Sequence, residues 1–336
     1  MAGYYYGQLS KEKKAVYDML AAGCDALAAV IRVPDLGTEV LSDIYLRMKL
    51  DLPLLFFVTG FHYRKMPGAD HVEVLPDYLF DRGKVKMHRQ AVTARLERLA
   101  RPLKGKSDRE KELAIHDFIL ENVTYDKLKK SYSHEIIGPL TQGVGVCEGI
   151  AKTVKALCDA VGLPCIVALS EAAPEIGVRY RHTWNVVTVE GQRYHVDATF
   201  DNSLQRGMKR YDYFNLDDKA VFRDHEPLIA PAPACTDGDH FYYKEKKMSF
   251  TKTEDVYKRS LQAAKKGKML TFHWRGGYLT RAVLDELLDL IKKAGAEKGK
   301  VARIALNWPQ AVLRLEYVED GQENVTMEEA NEGEQE

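Results

Sequence analysis

Three residues that lie far apart in the sequence, Cys147, His182 and Asp197, have the types and settings needed for nucleophilic chemistry at a carbonyl carbon. The segment GVGVCEGIAKTVKALC places the cysteine where two glycines end and a helical apolar pattern begins. Unpaired N–H groups at a helix start favour the thiolate and lower the thiol pKa from its free value of about 8.5. Although an isolated cysteine is more often a buried apolar residue, this setting makes Cys147 a candidate nucleophile.

A predicted β-hairpin brings the other two residues together. The turn Glu190–Gly191 suits a two-residue hairpin loop, which pairs Val189 with Gln192. In that register His182 and Asp197 are diagonal neighbours on one sheet face, roughly 7–8 Å apart at Cα. A shift of one residue would move Asp197 to the opposite face, so the interpretation depends on the register. A carboxylate beside a histidine fixes the imidazole tautomer and stabilises the imidazolium, which completes a thiol, imidazole and carboxylate triad.

The start of the same helix is also suited to an oxyanion. Its amide N–H groups can bind the oxygen of a tetrahedral intermediate, and Gly145 and Gly149 would permit close approach of a substrate. Gln142, just upstream of the cysteine, is a candidate for a second donor through its side chain.

Apolar periodicity predicts the elements that must position these residues. Ser107 and Glu110 have the spacing of a capping box for the helix that precedes the candidate nucleophile. The predicted helices cover residues 8–30, 38–50, 85–99, 107–123, 147–161, 253–264 and 280–294. The predicted strands cover residues 53–62, 72–75, 165–169, 182–189, 193–199, 269–274, 303–307 and 312–318.

Three blocks of sequence, in order, resemble the transglutaminase-like superfamily and its bacterial cysteine peptidase branch. They are GVCEGIAKTVKALCDAVGLPC, then HTWNVV, then YHVDATF, and the resemblance extends over residues 107–227. It implies that Cys147 is the nucleophile, His182 the general base and acid, Asp197 the orienting carboxylate, and that Trp184 lines the site. The β-sandwich domains and the acidic calcium loop of animal transglutaminases are not recognisable, which argues against that branch.

The resemblance also implies the fold class, which is α+β with a papain-like transglutaminase core in which the helix carrying the cysteine packs on an antiparallel sheet. We expect a mostly helical N-terminal cap region at 1–105, the catalytic core at 106–235 and a small α+β domain at 240–318. The acidic segment 319–336 lacks apolar periodicity, so we expect it to be disordered.

His195 competes with His182 for the role of the base, because alternation places it on the same face as Asp197, two residues away. The resemblance selects the histidine before Trp184, so we assign His195 a structural role. His225 and the other remaining histidines show no ligand spacing and are assigned structural or surface roles.

The amino-acid composition restricts the classes of binding partner that we expect. The chain has 49 basic and 49 acidic residues, which gives no field to attract nucleic acid or an anionic membrane. It has no segment of about 20 apolar residues and no signal-peptide pattern. Its five cysteines lack zinc-type spacing, so we expect reduced thiols in the cytoplasm, with no disulfide, metal site or cofactor. The oligomeric state cannot be read from the sequence.

The triad indicates thiol-dependent acyl transfer on a peptide or protein substrate through a thioester at Cys147. Water as the acceptor gives a cysteine peptidase or amidase, which is the favoured function. An amine acceptor gives a protein-glutamine transglutaminase, which would use the same residues. The third alternative is a binding module that keeps the fold and holds a peptide without catalysis.

Overall fold

Helices and a small antiparallel sheet build the N-terminal part of the chain. The structure is a computed structural model that describes residues 3–176, 178, 181–319 and 328–329. The sheet has the order β1-β3-β2. The elements are α1 (Tyr4–Gly7), α2 (Lys11–Asp25), β1 (Ile31–Pro34), α3 (Thr38–Asp51), β2 (Val58–Arg64), β3 (His71–Tyr78) and α4 (Arg82–Ala100), with 3-10 turns at Pro53–Leu55 and Arg101–Leu103.

The helix predicted over residues 8–30 ends earlier than expected. Leu27 adopts a left-handed conformation (φ 56°), and the Ala28 N–H donates back to the Gly23 carbonyl at 2.9 Å. This hydrogen bond terminates α2 at Asp25, and strand β1 begins a few residues later. The N-terminal region therefore contains one strand, β1, that the sequence did not predict, in addition to the two predicted strands and the predicted helices.

The central part has the α+β architecture that was predicted. A four-stranded antiparallel sheet has the order β6-β7-β8-β9, and a two-stranded parallel ladder pairs β4 with β5. The elements are α5 (Asp108–Asn122), β4 (Thr124–Tyr125), β5 (Val144–Gly145), α6 (Cys147–Val161), β6 (Cys165–Leu169), β7 (Thr183–Val189), β8 (Gln192–Val196), α7 (Ala198–Ser203), β9 (Phe214–Leu216) and α8 (Asp218–Val221). Short 3-10 turns cover Ser131–His134 and Pro174–Ile176, and a short π-helical turn covers Gly138–Gln142.

Helix α6 begins at Cys147 and packs against the sheet. Its apolar face is buried, and the Asn185 side chain on β7 donates to the Ala151 carbonyl at 2.9 Å. The capping box predicted for α5 is present between Ser107 and Glu110. The helix carrying the cysteine thus lies on an antiparallel sheet, as expected for this fold class.

The hairpin register is confirmed. Val189 pairs with Gln192 and Asn185 pairs with Val196. Glu190 (φ 51°) and Gly191 (φ 83°) both have positive φ, as a type I′ turn requires. Strand β8 ends at Val196, three residues earlier than predicted, because the Asp197 side chain accepts the N–H groups that begin α7.

The C-terminal part forms a second α+β unit whose elements match the prediction closely. Its sheet has the order β10-β11-β13-β12-β14. The elements are α9 (Tyr242–Glu245), β10 (Ser249–Phe250), α10 (Thr253–Lys266), β11 (Leu270–Trp274), α11 (Arg281–Ala296), β12 (Lys300–Asn307), β13 (Val312–Glu319) and β14 (Glu328–Glu329). Most of the segment predicted to be disordered, 319–336, lies outside the described residues. Strand β14, within that segment, pairs with β12 and differs from the expectation.

Three hydrophobic clusters lie among the described residues, and the smallest packs Tyr5 and Leu50 against Ala151, Val167, Leu169 and Ala230. The other two are larger. One runs from Leu9 to Tyr243 and includes Val312, and the other runs from Phe250 to Tyr317. The first of these clusters contains residues from both sides of position 105, so the N-terminal region and the core share one apolar interior. The division at residues 105 and 235 stays a prediction. No helix of the described chain combines the length and apolar character needed to cross a bilayer.

The first turn of α6 is in close backbone contact with the turn at Ser131–His134. A Cβ at Gly149 would lie 2.1 Å from the Ser133 carbonyl oxygen, and the Val146 N–H donates to the same oxygen at 3.0 Å. Gly149 is therefore required for packing that fixes the helix start, a different reason from the substrate approach that the sequence suggested.

We predict that Gly149→Ala lowers the free energy of unfolding by about 1–3 kcal/mol, because the added methyl group overpacks a backbone contact. Urea denaturation would measure the loss. Gly7→Ala is the control, since a Cβ there meets nothing within 4 Å. Equal stability of the two variants would contradict the packing argument.

Candidate active site

Cys147 occupies the first position of α6 and differs from the other cysteines in its exposure. All five cysteines are free thiols, and Cys147 alone is partly exposed while the other four are buried. The N-cap residue Val146 supplies no side-chain cap, so the first amide N–H groups of the helix are left for another acceptor. The structure thus confirms the helix-start position predicted for the thiol.

His182 and Asp197 come together as the hairpin register predicted. His182 Nε2 lies 2.6 Å from Asp197 Oδ2. The other carboxylate oxygen, Oδ1, accepts the N–H groups of Thr199 at 2.8 Å and Phe200 at 3.0 Å. The start of α7 therefore fixes the carboxylate with one oxygen directed at the imidazole.

The same imidazole is electrostatically coupled to the Cys147 thiol. Because Nε2 of His182 faces the Asp197 carboxylate, Nδ1 is the ring nitrogen left for the thiol. Burial lowers the pKa of His182, but the charge and hydrogen bond of Asp197, followed by those of Cys147, raise it to about 10. Burial has the opposite effect on Asp197, since it raises the pKa of that carboxyl. The imidazoles of His182 and His225 outweigh burial and hold the pKa of Asp197 below its usual value. The arrangement favours a carboxylate beside an imidazolium.

Trp184 requires a correction. We expected it to line the site, but it is 1% exposed and stacks on the His182 ring, with centroids 5.8 Å apart and planes at 18°. Its Nε1 donates to His195 Nδ1 at 2.9 Å, and His195 Nε2 lies 2.8 Å from Asp218 Oδ1. Trp184 therefore packs against the His182 imidazole in the interior and does not line a surface that a substrate could reach.

These contacts also decide between the two competing histidines. Because the indole N–H occupies Nδ1 of His195, the proton of that ring is on Nε2 and is donated to Asp218. Burial lowers the pKa of His195. His195 is a neutral structural histidine, as expected.

Gln142 does not join the triad. It lies in the turn Gly138–Gln142, its side chain is exposed, and its amide donates to Thr141 Oγ1 at 3.3 Å. Gly143 follows with a left-handed backbone (φ 67°), which reverses the chain before the helix start. Among the described hydrogen bonds, none links Gln142 to the three candidate residues.

Sequence reasoning missed Tyr125. This half-buried residue lies on β4 beside Gly145 of β5, and its hydroxyl is electrostatically coupled to Cys147. Burial, followed by the charges of Cys147 and Asp197, raises the pKa of Tyr125 to about 12. A neutral phenol is therefore available near the thiol. No pattern in the sequence marks it, because its partner strand is 20 residues away.

His225 and Asp224 were also missed. His225 Nε2 lies 3.0 Å from Asp197 Oδ2, the same oxygen that faces His182, and His225 Nδ1 lies 2.9 Å from Asp224 Oδ1. The sequence offered only the segment DHEP, whose resemblance to family members does not indicate a contact with a residue 28 positions upstream.

An ionic network that is largely buried lies next to Cys147 in the first turns of α6. Lys152 on α6 is fully buried and contacts Glu135 at 2.9 Å and Glu148 at 2.6 Å. Glu135 also contacts Lys49 of α3 at 3.0 Å, and Glu148 contacts His134 at 3.3 Å. Burial raises the pKa of Glu148, but Lys152 and His134 outweigh it and lower the pKa below its usual value. The network fixes the residue after the cysteine.

Among the described residues, two groups of potential metal ligands occur, and the ligand atoms within each group lie within 4.8 Å of one another. They are His182 with Asp197 and His225, and His195 with Asp218 and Cys235. In the first, 2.6 Å between nitrogen and oxygen is shorter than the roughly 3.3 Å that two bonds of about 2.0 Å at a tetrahedral angle would give. In the second, the indole N–H leaves the proton of His195 on the nitrogen that would have to bind a metal. Both groups are explained by hydrogen bonds.

Comparison with known proteins agrees with this geometry. Residues 97–198 match the family model of the transglutaminase-like superfamily, which confirms the resemblance read from the sequence. The matched segment contains Cys147, His182 and Asp197. No curated protein matches the chain.

Solved structures align with about two fifths of the chain. A candidate cysteine protease from Cytophaga hutchinsonii is 18% identical over 42% of this chain and 62% of its own, with a TM-score of 0.27. A protein described as a TGase is 13% identical over 42% of this chain and 44% of its own, with a TM-score of 0.29. A candidate protease from Parabacteroides distasonis is 16% identical over 41% and 36%, with a TM-score of 0.26. The chain spans less than two thirds of each.

We predict opposite protonation for the two histidines on either side of Trp184. The raised pKa of His182 keeps its imidazole protonated up to about pH 10, whereas the lowered pKa of His195 keeps that ring neutral above pH 6.5. Nitrogen-15 NMR of histidine-labelled protein between pH 6 and 10 would show both. A His182 that titrates near pH 6.5 would contradict the electrostatic coupling to Asp197.

Proposed function

We propose that the protein is a cysteine peptidase or amidase that hydrolyses amide bonds of peptides or proteins through a thioester at Cys147. The observation that carries this proposal is the 2.6 Å contact of His182 with Asp197, together with a Cys147 thiol at a helix start that is electrostatically coupled to the same imidazole.

In the first half of the proposed reaction the Cys147 thiolate attacks the amide carbonyl carbon. The C–S bond forms, and the carbonyl π electrons move to oxygen. The His182 imidazolium then gives its proton to the leaving nitrogen, the C–N bond breaks and a thioester remains. Asp197 stabilises the imidazolium and keeps Nδ1 directed at the reacting atoms.

In the second half a water molecule replaces the amine. Neutral His182 removes a proton from the water, which attacks the thioester carbon, and the C–S bond breaks to return the thiolate and the imidazolium. An amine in place of water would give the transglutaminase product through the same thioester. We favour water because it requires no second binding site beside the thioester.

Donors for the oxyanion are available without Gln142. The amide N–H groups at the start of α6 lack a side-chain acceptor, and they adjoin the reacting sulfur. The neutral hydroxyl of Tyr125 is a second candidate donor, since its raised pKa keeps the proton on oxygen at neutral pH. Five free thiols support a reducing, cytoplasmic setting for this chemistry.

We predict that iodoacetamide at mildly acidic pH modifies Cys147 ahead of the other four cysteines, because this thiol is the one that is partly exposed and it is electrostatically coupled to the His182 imidazolium. Peptide mapping by mass spectrometry would give the rate at each cysteine. His182→Ala should abolish the preference. His116→Ala, which removes another buried histidine, should retain it. A Cys147 that reacts no faster than Cys235 would favour the binding-module alternative.

We predict cleavage or deamidation when the protein is incubated with a peptide library, and loss of at least about 10³-fold in rate in Cys147→Ser. Parallel incubation with a primary amine tests the acceptor, since cleavage, deamidation and amine incorporation give different mass changes. Predominant amine incorporation would replace hydrolysis by transglutamination as the function.

A further inference from the structure

We propose that His225 is a positioning residue of the triad, a permanent imidazolium that shares the Asp197 carboxylate with His182 and sets the pH range over which the Cys147 and His182 ion pair persists. The inference rests on the proposed function and adds a fourth ionised group to its site.

Both ring nitrogens of His225 face carboxylates. Nε2 lies 3.0 Å from Asp197 Oδ2 and Nδ1 lies 2.9 Å from Asp224 Oδ1, and the side chain is 0% exposed. A carboxylate can only accept a hydrogen bond, so each nitrogen must carry a proton. Two protonated nitrogens make the ring an imidazolium.

Asp224 is itself held as an acceptor. The Tyr213 hydroxyl donates to its Oδ2 at 2.5 Å, and the Gln310 amide donates to its Oδ1 at 3.3 Å. Gln310 lies between β12 and β13, so a residue of the C-terminal unit helps to fix the carboxylate behind His225. The chain of contacts runs from Gln310 through Asp224, His225 and Asp197 to His182.

The remaining neighbours of His225 make its charge effective at the triad. The His182 ring lies 5.3 Å away between centroids, and the rings of Trp184, Phe200 and Tyr213 lie 4.8, 4.7 and 5.6 Å away. The titratable groups that face it are Asp197 and His182 from the hairpin, Tyr213, the adjacent Asp224, and neutral His195 beyond Trp184. A charge enclosed by aromatic rings is screened little by solvent.

The electrostatic environment of His225 also favours the protonated ring. Burial lowers the pKa of His225, but the hydrogen bonds to Asp197 and Asp224 outweigh burial, so the net direction is upward. A fixed positive charge beside Asp197 favours the deprotonated forms of its neighbours, which are the Cys147 thiolate and neutral His182. Removal of that charge must raise the pKa of His182 and make the thiolate less favourable.

His225→Gln tests this, because glutamine keeps an N–H donor for Asp197 but carries no charge. The measurement is the rate constant for iodoacetamide alkylation of Cys147 from pH 3 to 11. In the resulting pH–rate profile, the change at acidic pH (the acid limb) reports formation of the thiolate. The change at alkaline pH (the alkaline limb) reports loss of the His182 imidazolium. We expect both limbs to move to higher pH by about 1 unit in His225→Gln.

His116→Gln is the matched control. His116 is as buried as His225 and lies 3.0 Å from Asp201, and it has no contact with the triad among the described residues. It should lose stability without moving either limb. Limbs that stay in place in His225→Gln, or that move to lower pH, would overturn the role of His225 while the proposed function stands. In the same experiment the proposed function itself would fail if the wild-type protein showed no preferential alkylation of Cys147.

A second measurement on the wild-type protein does not depend on any variant folding. Nitrogen-15 NMR should show both ring nitrogens of His225 protonated throughout pH 6 to 9. A neutral His225 in that range would refute the proposal.

Discussion

The Asp197 carboxylate is the group on which the organisation of the site depends. It accepts four hydrogen bonds, from the N–H groups of Thr199 and Phe200 and from the imidazoles of His182 and His225. A buried carboxylate must be paired or it loses its charge, and these four donors compensate for its removal from water. The same contacts end strand β8, begin α7 and orient the imidazole, so the local fold and the candidate chemistry share one acceptor.

The surroundings of the triad explain why a domain larger than a helix and a hairpin is needed. Lys49 of α3 also donates to the carbonyls of Leu55 and Val58, and through Glu135 it connects the N-terminal region to Lys152 on the nucleophile helix. The Tyr5 hydroxyl donates to the Val167 carbonyl on β6, which binds the first helix to the edge of the four-stranded sheet. The N-terminal region is thus part of the support of α6.

The C-terminal unit also contacts the residues that surround the site. The side chains of Asn307 and Tyr243 each donate to the buried Asp212 at 3.0 Å, and Arg210 pairs with the same carboxylate. Gln310 contacts Asp224 directly. Because buried polar groups must be satisfied together, the position of the C-terminal unit and the position of His225 are coupled.

Local patterns in the sequence determined most elements, the hairpin register and the three candidate catalytic residues. Helix periodicity, the Glu190–Gly191 turn and the start of α6 are short-range properties, and each side chain's face follows from its position in the repeat. What the sequence could not determine was the set of neighbours that only packing brings together. Trp184 is buried behind His182, Gln142 turns away, and His225 and Tyr125 approach the triad from other elements. Periodicity fixes which face of an element a residue occupies, whereas the partner across that face is chosen by tertiary packing of segments distant in the chain.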